Sequence, residues 1–283
     1  MESELKIMCW NINEGRGTDP KGKVDATLKE IVEAIKLKSP HIVLLNEVRK
    51  PYILSRIFRD DQAAVIAEKA KISHKGFGEV NSAGLPFIGS GKGMAILSQW
   101  PPLKIPERGE YEVIKVVHKG TKAKFGTMVA TFNVNGKNHH VLSTRLAPHN
   151  DDGTNRAENP SGIQHALDLV KSFPPDEPII FGGDFNASTD PGAKNEYEKA
   201  MKEFFAKSGL KEVLNTKGMY PVGEDRVDYL FYRGAYEVVH AEVANYDLVN
   251  EQVVNKQVGK DDRPPKPRLA SDHSWIYAEL KKV

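Results

Sequence analysis

The run Pro178-Ile179-Ile180-Phe181-Gly182-Gly183-Asp184-Phe185-Asn186-Ala187 constrains the fold more than any other segment, because an apolar stretch stops at two glycines and delivers an Asp and an Asn two positions apart. Such a run reads as a buried strand that presents polar groups at its mouth. On extended backbone, residues i and i+2 share a face, so Asp184 and Asn186 can reach one ligand while Phe185 packs the opposite way. The glycines let another backbone or a substrate approach closely. Alone, the segment reads equally well as a strand running into an Asx turn. Whether other strands end the same way decides between the two.

Four others do. Leu5-Lys6-Ile7-Met8-Cys9-Trp10-Asn11-Ile12-Asn13 is an apolar strand pattern closing on two same-facing amides before the loop Glu14-Gly15-Arg16-Gly17. His41-Ile42-Val43-Leu44-Leu45-Asn46-Glu47-Val48 is too short and too β-branched for a helix, and it ends in a carboxylate. Arg226-Val227-Asp228-Tyr229-Leu230-Phe231-Tyr232 carries an Asp inside an aromatic strand, a costly place for a charge without a partner. Leu269-Ala270-Ser271-Asp272-His273-Ser274-Trp275-Ile276 opens the last strand with adjacent Asp and His. Each has an ordinary structural reading; all of them together, drawn from Asp, Glu, Asn and His, point to one site.

A chain of 283 residues, 40% hydrophobic and 28% charged, can bury the core such strands need. No Pro/Gly/Ser-rich linker or break in composition divides it, so a single domain over residues 1–283 is expected. A net charge of +2 is compatible with binding phosphate but far from a dedicated nucleic-acid coat. Cys9 is the one cysteine, which excludes an internal disulfide and a thiolate zinc site and makes it a small core residue. No basic segment followed by an apolar stretch opens the chain, and no apolar run approaches a membrane span. The expectation is a soluble monomer without a transmembrane segment, cytoplasmic by default, or secreted if a leader has been removed.

The order of elements alternates at first and then turns antiparallel. Val24, Leu28, Ile31, Val32 and Ile35 fall on one helical face that Lys38-Ser39-Pro40 stops, and a second helix is expected from about Tyr52 to about Ala70. The glycine-rich stretch from Ser73 to Gly93 reads as a loop near the site mouth, followed by a buried strand Met94–Ser98. Tyr111–His118 and Thr127–Val134 have strand character, and Asn135-Gly136 signals a hairpin into His139–Thr144. His139 and His140 are adjacent on a strand, point to opposite faces and cannot chelate one ion; they read as surface histidines. Helices are expected near Ile163–Phe173 and Asn195–Ser208, and strands near Val227–Arg233, Tyr236–Val243 and Ser274–Leu280. The order suggests two sheets packed face to face under helices.

The boxes Trp10-Asn11-Ile12-Asn13, Asn46-Glu47-Val48, Gly182-Gly183-Asp184-Phe185-Asn186, Val227-Asp228-Tyr229 and Ser271-Asp272-His273 resemble those of the endonuclease/exonuclease/phosphatase superfamily, in the same order and over nearly the whole chain. The resemblance implies an α/β fold of the deoxyribonuclease I-like kind, a four-layer α/β sandwich of two packed mixed β-sheets flanked by helices. It also implies divalent-metal-dependent hydrolysis of a phosphoester. Oxygen ligands without cysteine clusters favour Mg²⁺ or Mn²⁺. The family pattern assigns the metal to Glu47, Asn11 and Asp272. Asp184 would deprotonate the attacking water, with Asn186 holding the water or the phosphate. His273 would contact a non-bridging oxygen, its tautomer fixed by Asp228. Where many relatives carry a His, this chain has Ser143-Thr144-Arg145-Leu146, so Arg145 becomes a permanent phosphate donor that cannot act as a general acid. His149 could supply an imidazole instead, and a narrower dependence on His273 is expected.

A nucleic-acid phosphodiester is the expected substrate, because this family most often works on DNA or RNA and the chain is slightly basic. Asn13, Arg16, Arg145 and His149 are candidate substrate contacts, with Lys21, Lys23, Arg49 and Lys92 as further cations near the same loops. The alternatives are a phosphodiesterase or phosphatase acting on a lipid headgroup or small molecule, for which Gly84–Gly89 is the one short aromatic hairpin, and a binding module that has lost turnover.

Overall fold

The computed structural model describes residues 4–16, 28–52, 61–83, 89–106, 109–117, 124–146, 159–187, 196–214, 227–247, 252–255, 271 and 273–283. The expected ligand Asp272, the loop residue His149, Lys21, Lys23 and the 84–88 part of the hairpin lie outside the described residues.

The elements in chain order are β1 (Glu4–Asn11), α1 (Leu28–Lys38), β2 (Ile42–Pro51), α2 (Gln62–Ala70), β3 (His74–Ala83), β4 (Ser90–Ser98), β5 (Tyr111–Val117), β6 (Lys124–Val134), β7 (Lys137–Arg145), α3 (Asn159–Lys171), β8 (Ile179–Asp184), α4 (Glu196–Lys207), β9 (Lys211–Glu212), β10 (Asp228–Arg233), β11 (Tyr236–Asp247), β12 (Gln252–Asn255) and β13 (Trp275–Lys282). They form a seven-stranded sheet, β12-β11-β13-β1-β2-β4-β3, and a six-stranded sheet, β5-β6-β7-β8-β10-β9. Alternation along the central strands fills three apolar layers. Ile7, Cys9, Ile42, Leu44 and Ile180 meet between the sheets. Met8, Trp10, Val43 and Leu45 face α1 and α2. Ile179, Phe181 and Phe185 face α3 and α4. The result is the expected four-layer sandwich, and because its central strands are buried on both faces, they read as unbroken apolar runs.

Each sheet contains one parallel pair, β1–β2 and β7–β8, among otherwise antiparallel neighbours. Parallel neighbours deliver their C-terminal ends to one edge, where ligands of α/β sheets bind. Asn11 lies opposite Asn46 in the first pair, and Arg145 opposite Asp184 in the second. Asp228, on antiparallel β10, is in register with Asp184.

Three local expectations are corrected. Tyr52 directly follows β2, and the described helix begins only at Gln62, where Asp61 caps it by accepting a 3.1 Å bond from Ala64 N. The glycine-rich stretch is a hairpin of β3 and β4 instead of a loop. Its glycines let strands touch: a Cβ on Gly93 would sit 1.9 Å from the Gly78 carbonyl oxygen. His139 and His140 do point to opposite faces, but both are buried. His139 bonds the Tyr236 hydroxyl of the other sheet, and His140 joins Thr131 and Glu177. The Asn135-Gly136 turn is as expected, with φ of 52° and 80° as a type I′ turn requires.

Candidate active site

Glu47 owes its position to a bulge. The β2–β4 register slips between Asn46 and Val48, and Glu47 takes φ +53°. A non-glycine residue there costs about 1–3 kcal/mol, a strain that has to be met by its contacts. They are strong: Arg145 Nη2 donates to Oε1 at 2.6 Å and Lys92 Nζ to Oε2 at 2.9 Å, with Asn11 Nδ2 3.5 Å from Oε1. Burial alone would push the Glu47 carboxyl up, but the charges of Arg145 and Lys92 outweigh it and hold the group down at about 2.

Asp184 closes β8 from the other sheet. Its Oδ2 accepts from Asn11 Nδ2 at 3.1 Å and its Oδ1 from Asn186 N at 3.0 Å. The second bond is an Asx turn, so the two readings of this segment hold together: the strand end is both a turn and part of the convergence. Burial, and then the charge of Asp228, push the Asp184 carboxyl up to about 7 against the opposing pull of His273 and Arg145. The shared strand face expected for Asp184 and Asn186 is not what forms. The strand stops at Asp184, Asn186 takes φ +48°, and its Nδ2 donates to Leu146 O at 2.9 Å. Phe185 packs the opposite way as expected, in the apolar layer under α3 and α4.

Asp228 and His273 meet as expected, with His273 Nδ1 2.6 Å from Asp228 Oδ2. An ionised carboxylate only accepts, so Nδ1 carries the proton. Three bonds fix the loop that bears His273. Trp10 Nε1 donates to His273 O at 2.9 Å, His273 N donates to Ser271 Oγ at 3.1 Å, and that hydroxyl donates to Asn11 O at 2.6 Å.

Other expected contacts are placed differently. Asn13 leaves the strand for a 3-10 turn at φ 45°, its backbone N–H bonded to Asn11 Oδ1. Arg16 is exposed and pairs with Glu14 at 3.3 Å. Arg49 is buried, its guanidinium 4.0 Å from Glu14, and is an internal charge instead of a surface phosphate contact. Arg145 lies over the Phe125 ring while it holds Glu47, and its Nε is buried without a hydrogen-bond partner.

Sequence reasoning gave no role to Glu14 or to the Asn46 side chain. Asn46 is fully buried and spans the two sheets: Asp184 N donates to its Oδ1 at 3.1 Å, and its Nδ2 donates to Thr144 O at 3.0 Å and lies 3.4 Å from Ser143 Oγ. Glu14, at φ +53°, takes Lys92 Nζ at 2.7 Å. The signal for Asn46 was an amide ending an apolar run directly before Glu47; for Glu14 there was none.

A model of the endonuclease/exonuclease/phosphatase family matches residues 8–273. The chain belongs to this family. Its members are generally phosphoesterases and usually use divalent metals. Solved structures share the fold over nearly the whole chain. An endonuclease/exonuclease/phosphatase from Beutenbergia cavernae is 23% identical with a TM-score of 0.72, over 99% of this chain and 72% of that one. TDP2 from D. rerio, complexed with single-strand DNA product, is 17% identical with a TM-score of 0.64, over 99% and 100%. The human Nocturnin catalytic domain with bound sulfate is 16% identical with a TM-score of 0.62, over 99% and 94%. No curated protein matches the chain in sequence.

Among the described residues, no three His, Cys, Asp or Glu side chains form a cluster able to hold a metal by themselves. The chemistry nonetheless fits a hard cation. Glu47 is ionised far into acid, and Asp184, buried beside the Asp228 carboxylate, is pushed up first by that burial and then by that charge, so a cation placed between these carboxylates would meet unbalanced negative charge. No described helix is long and apolar enough to cross a membrane.

Proposed function

We propose that the protein is a divalent-metal-dependent phosphodiester hydrolase acting on nucleic acid. The observation that carries this reading is the meeting of Asn11, Glu47, Asp184 and the Asp228–His273 pair at one edge of the sandwich, where both parallel strand pairs end. Glu47 and Asn11, with Asp272, would hold Mg²⁺ or Mn²⁺, which when bound supplies positive charge against the charge developing on phosphoryl and leaving-group oxygens.

The chain's own residues supply the rest. Asp184, anchored through Asn11, Asn46 and Asn186, takes the proton of the attacking water, and a carboxyl raised toward neutrality is a competent base there. His273 keeps its Nδ1 proton on Asp228 and offers Nε2 to a phosphoryl oxygen. Arg145 contributes a fixed positive charge at the position where many relatives carry His. The single-strand DNA product on the D. rerio TDP2 structure supports nucleic acid as the substrate class.

The test is a substrate panel with Mg²⁺ or Mn²⁺: plasmid, single-stranded DNA, RNA, a phospholipid and a chromogenic phosphodiester, with Glu47→Ala and Asp184→Ala as controls. Cleavage of a nucleic acid that both variants lose is expected. Cleavage of the phospholipid alone would overturn the substrate class, and equal inertness of all three proteins would overturn the enzyme reading.

A further inference from the structure

Lys92 has a setting that the proposed chemistry does not use. It stands on β4 between Gly91, beside which the Glu79 side chain lies, and Gly93, where the Gly78 carbonyl of β3 leaves no room for a Cβ. Its ammonium sits between two carboxylates, 2.7 Å from Glu14 Oε1 and 2.9 Å from Glu47 Oε2. Both carboxylates are mostly buried, with side-chain exposures of 11% and 14%. Both belong to residues at φ +53°, held in left-handed backbone. The backbone at Glu14 and just past Glu47 is pinned as well: Gln62, fully buried, donates to Glu14 O at 2.7 Å and accepts from Arg49 N at 2.8 Å. Two oxygens of separate carboxylates thus converge on one point, and that point is filled by a cation belonging to the chain.

We propose that Lys92 is the resident cation of the Glu14–Glu47 pair and thereby limits this site to a single divalent ion. The inference rests on the reading that Glu47 binds a metal. Mg²⁺ takes oxygens at ~2.0–2.1 Å, so carboxylate oxygens now 2.7 and 2.9 Å from the ammonium would each have to close in by less than ~1 Å to hold a second ion in its place. A lysine tethered there forms at no entropic cost of capturing an ion from solution, and its single charge repels a second dication only a few ångströms from the first. Arg145 holds the other Glu47 oxygen, so each oxygen of this carboxylate already has one cation of the chain, and a catalytic ion would take Glu47 through its remaining lone pairs.

Counting Mn²⁺ per chain by the electron paramagnetic resonance of the free ion tests this in wild type, Glu47→Gln, Lys92→Met, Lys92→Arg and Lys92→Met/Glu14→Gln. Wild type is expected to bind one Mn²⁺, lost in Glu47→Gln; no binding in wild type would sink the metal reading of Glu47 itself. Lys92→Met is expected to bind two, returning to one when Glu14→Gln is added, while Lys92→Arg keeps the charge and stays at one. Lys92→Gln, whose amide still donates to a carboxylate, is read in the same way where the Met variant does not fold. One ion in every uncharged variant at position 92, or two in wild type, would overturn the proposal while leaving the metal reading intact.

Discussion

Replacing Asn46 by Leu keeps the branched outline and number of heavy atoms, with bulkier methyls, while removing the amide that ties the two sheets together at the candidate site. Three contacts go: Asp184 N to Oδ1 at 3.1 Å, Nδ2 to Thr144 O at 3.0 Å and Nδ2 to Ser143 Oγ at 3.4 Å. Each hydrogen bond contributes ~1 kcal/mol net, and a buried donor or acceptor left unmatched costs ~1–3 kcal/mol. With little cavity to add, the loss comes to about 3–5 kcal/mol, a large share of the ~5–15 kcal/mol that holds a typical domain together. Asn46→Asp should be worse above pH 5 and recover as the pH falls, because a buried carboxylate facing the Thr144 carbonyl is relieved only by protonation. Urea unfolding of both variants from pH 5 to 8 provides the measurement. A loss for Asn46→Leu below ~1 kcal/mol would mean that Asp184 N–H and Thr144 C=O pair directly once the amide is gone, and the bridging role would be refuted.

The Glu47 carboxyl, held at about 2 against an ordinary 4.5, stabilises the fold fully above pH 4.5 and loses that contribution as pH falls through about 2. Up to ~3 kcal/mol is at stake, so Glu47→Gln should flatten the acid limb of a urea stability profile; parallel losses in wild type and variant would contradict the Arg145–Lys92 pairing. Asp228→Asn should cut turnover by ~10²-fold or more by uncoupling His273 Nδ1. It also removes one of the charges that raise Asp184, so the acid limb of the kcat–pH profile should move to lower pH, and an unmoved limb would separate Asp228 from Asp184. Gly183→Ala places a Cβ 1.9 Å from Thr144 O at φ +143°, and a cost under ~1 kcal/mol in urea unfolding would contradict the β7–β8 register.

What the sequence revealed followed the range of the physics behind it. Period-two alternation and glycine stops are local, so the strands that carry Asn11, Asn46, Thr144 and Asp184 could be read directly, although β2 runs on to Pro51, as could the Asn135-Gly136 turn with its left-handed φ values. Asp228 pairs with His273 across the fold, yet a charge opening an aromatic strand advertised its need for a partner. The Gly91-Lys92-Gly93 stretch misled because glycines serve loops and close strand packing alike, and only the neighbouring strand distinguishes the two. His139 and His140 misled for a related reason: hydrophilic residue types can be buried when they find partners, here Tyr236 and Glu177, that no local pattern reveals. Glu14 and Lys92 are joined only by tertiary structure, and the left-handed backbone of Glu14 and the ion pair between them had no counterpart in spacing.

Water activation by Asp184 is the central claim, and single-turnover cleavage of a labelled single-stranded DNA by wild type and Asp184→Asn, with Mg²⁺ and at matched oligonucleotide occupancy, tests it most directly. Loss of general-base catalysis predicts a rate lower by ~10²–10⁴-fold with substrate affinity retained. A variant that cleaves within tenfold of wild type at the same affinity would contradict the account.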